Sequence, residues 1–194
     1  MIKMTKKSDI EVDTQVMLLE SPFGDPAHLR EQERAADWLI AHADRAYEPL
    51  LEMMRKGTAG PAVIQLLPRF MRSESIPALE KALITKSEQI ARAAAKALAQ
   101  HVGPEGLEIL KQVVQSPGPG AVIAAADALA ILGNKETCLS LLAALTHTDH
   151  RARYHVVQAA GQIGCLTKDQ LILISTNDPD ENIRALAADL YDSA

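Results

Sequence analysis

Apolar positions in this chain repeat on two scales. Within short stretches they fall three and four residues apart, the spacing of one helix face. On the larger scale they return every 31 residues. Leu67, Leu98, Leu129, Ala160 and Tyr191 form one series, Val63, Ala94, Ala125, Val156 and Ala187 a second, and Leu66, Ala97, Ala128, Ala159 and Leu190 a third. Among them runs a polar series, Gln65, Lys96, Asp127, Gln158 and Asp189, the water-facing position of each turn. A fixed period of this length predicts a solenoid in which each unit buries its apolar face on its neighbours.

A further set lies about a dozen residues on, with Leu79, Leu110, Leu141 and Ile172 in step and Ile76, Leu107 and Cys138 one turn before them. Each repeat therefore holds two helices, A and B. Ser87, Gly118, Asp149 and Asp180 fall in register just before the A helices, and all four residue types serve as N-caps. Gly103, Gly133 and Gly164 fall between A and B, where a residue tolerating positive φ ends a helix. Pro49, Pro77 and Pro104 are expected in the first turn of B helices, where no amide proton is needed. Residues 30–43 and 46–56 read as an irregular first pair, with Trp38 in its core, and residues 179–191 as a lone closing helix. The expected fold is all-α, an α-α superhelix of about five helical hairpins plus a closing helix. It spans residues 27–192, behind an N-terminal extension, residues 1–26, that is partly disordered or docked.

Composition supports this and narrows the function. Hydrophobic residues make up 47% of 194 and aromatics only 3%, a balance that suits close helix packing better than sheet sandwiches. The net charge of −5 is spread along the chain without a basic stripe, which argues against nucleic acid and anionic membranes as partners. The longest apolar stretch, residues 121–133, contains Asp127 and falls short of the roughly 20 residues of a membrane span. No signal peptide follows Lys3, Lys6 and Lys7, and a cytoplasmic location is expected. Cys138 and Cys165 lie in apolar settings without a partner motif and read as buried free thiols.

Asp149-x-x-Ala152-Arg153 followed by residues 156–164, and Asp180-x-x-Ile183-Arg184 followed by residues 187–190, resemble the short HEAT repeats of phycobilisome lyase subunits. The resemblance covers roughly residues 27–192. It implies that Arg153 and Arg184 brace neighbouring repeats through an Asp, a structural role. It also implies a range of functions, from scaffolds to subunits that help attach a bilin cofactor. Similarity to deoxyhypusine hydroxylase would bring His-Glu pairs for two irons, but none of the six histidines precedes Glu. Similarity to helical-repeat glycosylases would bring a basic, aromatic groove, and this chain is acidic with one Trp.

No catalytic constellation emerges from the residues. His147, Asp149 and His150 have ligand-like spacing, but Asp149 is already explained as a cap. Ser116-Pro-Gly118-Pro-Gly120 lacks the strand and Lys of a phosphate loop and reads as a turn. No cofactor and no metal site is expected.

What remains is the outward face of the B helices, expected to be concave. Glu80 and Lys111 are followed in register by Leu142 and Leu173, Lys81 and Gln112 by Ala143 and Ile174, and Glu108 by Leu139. A charged face thus turns apolar along the solenoid, as an interaction site would. The candidate partner site is Glu48, Glu52, Glu80, Lys81, Glu108, Lys111, Gln112, Leu139, Leu142, Leu173 and Ile174, with residues 10–19 an internal segment able to cover its apolar half. The function expected is a non-enzymatic adaptor or regulatory scaffold of bacterial type binding a protein or peptide there. The alternative is an assisting or lyase-type subunit of a bilin-attaching enzyme complex.

Overall fold

The structure is a computed structural model that describes residues 7–22, 26–101 and 103–193, and every element among them is helical. An N-terminal helix α1 (Lys7–Leu19) precedes five A/B pairs and a last A helix. The A helices are α2 (Pro26–Ala41), α4 (Pro61–Leu66, continued by a 3-10 turn, Leu67–Phe70), α6 (Glu88–Gln100), α8 (Pro119–Leu132), α10 (His150–Ile163) and α12 (Glu181–Asp192). The B helices are α3 (Ala43–Lys56), α5 (Ile76–Leu83), α7 (Glu105–Val113), α9 (Cys138–Ala144) and α11 (Lys168–Asn177). The molecule is an all-α solenoid.

From α4 onward the A helices stack one on the next, and the B helices pack chiefly on the A helix that follows: α5 on α6, α7 on α8, α9 on α10, α11 on α12. The seam is built from the period-31 series. Leu67, Leu98, Leu129 and Ala160 are buried, as are all five members of the series from Val63 to Ala187. Alanine dominates α6 and α8 because stacked A helices come close only where side chains are short, and each leucine buried between them contributes about 1.5–3 kcal/mol. Gly106 shows the same demand at a B helix: a Cβ there would lie 2.2 Å from the Leu98 carbonyl oxygen of α6. The series breaks at the C-terminal end, where Ile172 and Tyr191 are exposed and Leu171 is the buried residue of α11. Helix α11 packs chiefly on α12, and Leu171 is its residue on that buried side, not Ile172.

Caps set the repeat boundaries. Ser87, Asp149 and Asp180 accept from backbone N–H groups in the first turns of α6, α10 and α12, and Gly118 is the N-cap of α8 with Pro119 behind it. Gly133 and Gly164 end α8 and α10 in the left-handed conformation. Gly103 also has positive φ, but α6 ends earlier, at His101. Pro77 and Pro104 start α5 and α7, whereas Pro49 lies inside α3, a correction to its expected place in a first turn. The helix begins at Ala43 instead of residue 46, and Pro49 is tolerated on its exposed side, where it withholds one amide from the ladder.

The N-terminal end departs from the repeat. Helix α1 packs against α2, α3 and α4 through buried Val12, Val16 and Leu19, and Arg45 of α3 pairs with Glu11 at 2.7 Å. Glu20, just past α1, accepts from Val63 N–H at 2.9 Å and thereby caps α4, whose own N-cap, Gly60, has no side chain to do it. Trp38 is partly buried against the core, stacked on His42 at 4.1 Å. Residues 1–6 of the expected extension lie outside the described residues.

Candidate functional site

The site lies between the B helices α9 and α11. Helices α3, α5, α7 and α9 touch one another in succession, and any contact between α9 and α11 is slighter. A cleft of 560 Å³ opens between them. Leu142 and Leu145 form one wall, Leu173 and Ile174 the other, with His147, Gln170 and Asn177 at the rim. Beside the cleft, Leu139 is 82% exposed and Leu173 61%, values far from those of core leucines. The sequence-predicted apolar residues Leu142, Leu173 and Ile174 are thus brought together, and Leu139 stands on the same helix as Leu142. Residues 10–19 do not cover this patch, because α1 docks at the opposite end of the solenoid.

The back of the cleft is stiffened by a charge lock. Arg153 of α10 donates from Nε and Nη2 to both carboxylate oxygens of Asp178, each at 3.0 Å, and from Nη1 to the carbonyls of His147 and Thr148. Burial works to raise the Asp178 pKa, but the Arg153 hydrogen bonds, the Asp180 N–H and the nearby guanidinium charges outweigh it and hold the carboxyl below its ordinary value. Arg184 repeats the pattern one unit on, donating to the carbonyls of Asp178 and Pro179. His147 accepts the Asp149 N–H on Nδ1, and Asp149 caps α10, so this histidine and carboxylate hold the turn itself.

The charged candidates sit on α3, α5 and α7, and most are already engaged. Glu48 pairs with Arg55 at 2.8 Å, Glu52 with Lys56 at 3.3 Å, and Glu108 with Lys111 at 2.7 Å. Glu80, Lys81 and Gln112 are exposed, and Lys81 borders a separate cleft between α3 and α5. The structure does not bring these residues into the apolar cleft.

Two features escaped sequence reading. Across the A helices a cleft of 410 Å³ is lined by Arg92, Arg151, Tyr154 and His155. His155 pairs there with Asp127 at 2.6 Å, and Arg151 with Glu88 at 3.6 Å. Asp127 belongs to the outward polar series, so only its surface position was legible. The second is a correction: Cys138 and Cys165 are not free thiols but are joined in a disulfide, with Cα atoms 5.2 Å apart. They are 27 residues apart in sequence, and only the stacking of one repeat on the next brings the start of α9 to the end of α10.

The HEAT repeat family model matches residues 61–130, the stretch from α4 to α8. No curated protein matches the chain. Among solved structures, the CpcE–CpcF complex of phycocyanin lyase from Nostoc sp. PCC7120 is 16% identical with a TM-score of 0.46, covering 91% of this chain and 74% of that one. Human deoxyhypusine hydroxylase is 15% identical with a TM-score of 0.45, covering 96% and 98%. An engineered protein is 19% identical with a TM-score of 0.41, covering 94% and 95%.

Proposed function

We propose that this chain, a HEAT-repeat protein, is a non-enzymatic adaptor that captures an amphipathic helix of a partner protein in the cleft between α9 and α11. The observation that carries the reading is the convergence of Leu142, Leu145, Leu173 and Ile174 around 560 Å³ of open space. That volume falls within the roughly 300–1,000 Å³ of pockets that enclose drug-sized ligands, room enough for several apolar side chains. The cleft wants apolar side chains, since its one buried ion pair, Arg153 with Asp178, is spent on itself. Its two walls are parted B helices, and an apolar helix face presenting residues at i, i+3 and i+4 fits such a groove. Glu80 and Glu108, exposed on α5 and α7, add electrostatic selection along the same layer and speed encounter with a basic partner.

The test is selection from a phage-displayed library of helix-patterned peptides. Wild-type protein should enrich sequences with leucine-like residues at helical spacing. Leu142→Asp and Leu173→Asp, both at partly or well exposed positions, should lose that enrichment by tenfold or more while keeping helical content. Glu80→Lys with Glu108→Lys should weaken binding of basic peptides less, and only at low salt. Enrichment that survives both aspartates would remove the cleft from the function.

A further inference from the structure

Every B helix needs its first turn held down, and α9 is held differently from its neighbours. In α5 and α7 the register position one turn before the central leucine is Ile76 and Leu107, large apolar residues packed on the core. In α9 the same position is Cys138, a smaller side chain with less area to bury. Helix α9 has only seven residues, too few to persist without tertiary anchors. Leu141 and Ala144 bury its middle and its end, and its first turn is anchored covalently, through the bond to Cys165.

Cys165 is itself fixed. It follows Gly164, the left-handed C-cap of α10, and its N–H donates to the Ala160 carbonyl at 2.8 Å while Gly164 N–H donates to Gly161 at 3.0 Å, the paired bonds of a Schellman turn. Two residues later Thr167 caps α11 through a capping box. The disulfide therefore ties the N-terminal end of α9 to the segment that leads into α11. The apolar cleft is lined from α9 and the turn after it by Leu142 and Leu145, and along α11 by Gln170, Leu173, Ile174 and Asn177.

We infer that the Cys138–Cys165 disulfide is a redox latch that sets the cleft: oxidised, it holds α9 in place and the cleft is preformed; reduced, α9 loosens and the cleft is lost. The inference rests on the cleft being the partner site. Both cysteines are partly exposed, so a dithiol reductant can reach them. One of its thiolates attacks a protein sulfur, the Cys138–Cys165 bond breaks, and a mixed disulfide forms. The second thiolate then displaces the remaining cysteine. The dithiol is oxidised by two electrons to its disulfide, and the protein gains two protons as two thiols.

The experiment is hydrogen–deuterium exchange on the full chain, oxidised and after reduction with dithiothreitol, beside two double variants. Reduction, and Cys138→Ser with Cys165→Ser, should speed exchange in α9 and the first turns of α11 by tenfold or more, leaving α4 to α6 unchanged. Cys138→Leu with Cys165→Ala restores the anchor that α7 has in Leu107, and should keep α9 protected with or without reductant. Unchanged exchange on reduction overturns the latch, as does acceleration spread over the whole chain, which would make the bond a general staple. Failure of the leucine variant to protect α9 overturns the anchor argument. Exchange is read without any partner, so the latch and the peptide-binding reading fail separately.

Discussion

Helices α7 and α9 occupy the same place in successive repeats and solve it in opposite ways. Helix α7 carries a large apolar anchor, Leu107, and turns Glu108, Lys111 and Gln112 outward. Helix α9 carries Cys138 in the anchor position and turns Leu139 outward. In α7 the apolar residues go to the core and the charges to water, which stabilises the solenoid and leaves no apolar surface to bind. In α9 apolar surface is left exposed and the first turn is tied by a covalent bond to the turn after α10. The difference teaches that a repeat can spend its hydrophobic residues on a partner only if something else holds its helix down.

The comparison can be broken first at the central leucines. Leu110 of α7 and Leu141 of α9 are both fully buried, and replacing either by Ala should cost about 2–5 kcal/mol in denaturant unfolding. Leu139→Ala, on the exposed face of α9, should be within about 0.5 kcal/mol of wild type. A large loss from Leu139→Ala would show that the patch is packed in solution.

Next comes the latch. Removing the Cys138–Cys165 cross-link should lower the stability of the repeats that hold α9 and α11 by about 2–4 kcal/mol while α4 to α6 keep theirs. Removing the Glu108–Lys111 pair of α7 should cost no more than about 1 kcal/mol, since it is an exposed pair. Thermal melts of Cys138→Ser/Cys165→Ser and of Glu108→Gln would give the contrast.

A smaller effect separates two successive A helices, α8 and α10, at their caps. Asp149→Ala should cost about 1 kcal/mol at neutral pH, because α10 loses the acceptor for Ala152 N–H. At Gly118, which caps α8 without a side chain, Gly118→Ser should be neutral or slightly stabilising.

The last is a pH effect confined to the C-terminal repeats. Asp149 is held below its ordinary pKa mainly by the Ala152 N–H, and Asp178 is held low by Arg153 despite its burial. A depressed folded-state value means that the stabilisation is fully present above the unfolded value of about 3.9 and is lost as pH falls through the folded one. Unfolding midpoints should therefore fall on acidification below about pH 4, and Asp178→Asn should flatten that decline. A steeper decline in the variant would mean the lock does not contribute as described.

Much of this was legible along the chain because solenoid contacts are local. Each A helix meets the next after one period, so a core position such as Leu98 reveals itself by recurrence at Leu129, and caps such as Ser87 and Asp149 mark boundaries by their own chemistry. The switch from Glu108 to Leu139 was readable for the same reason. Cysteine pairing carries no such signal: Cys138 and Cys165 hold different register positions, so no self-comparison aligns them. The burial of Leu171 in place of Ile172 in α11 was equally silent, since it depends on how α11 seats on α12.

The sequence by itself determined the period, the helical pairs, their caps and the change of face from charged to apolar, all of which follow from side chains meeting others one repeat away. Tertiary structure alone decided that α1 docks at the N-terminal end, that a cleft opens between α9 and α11, and that Cys138 and Cys165 meet. Those depend on where helices stop packing on one another, and a distance between helices is fixed by the stacked solenoid as a whole, not by any stretch of residues within it.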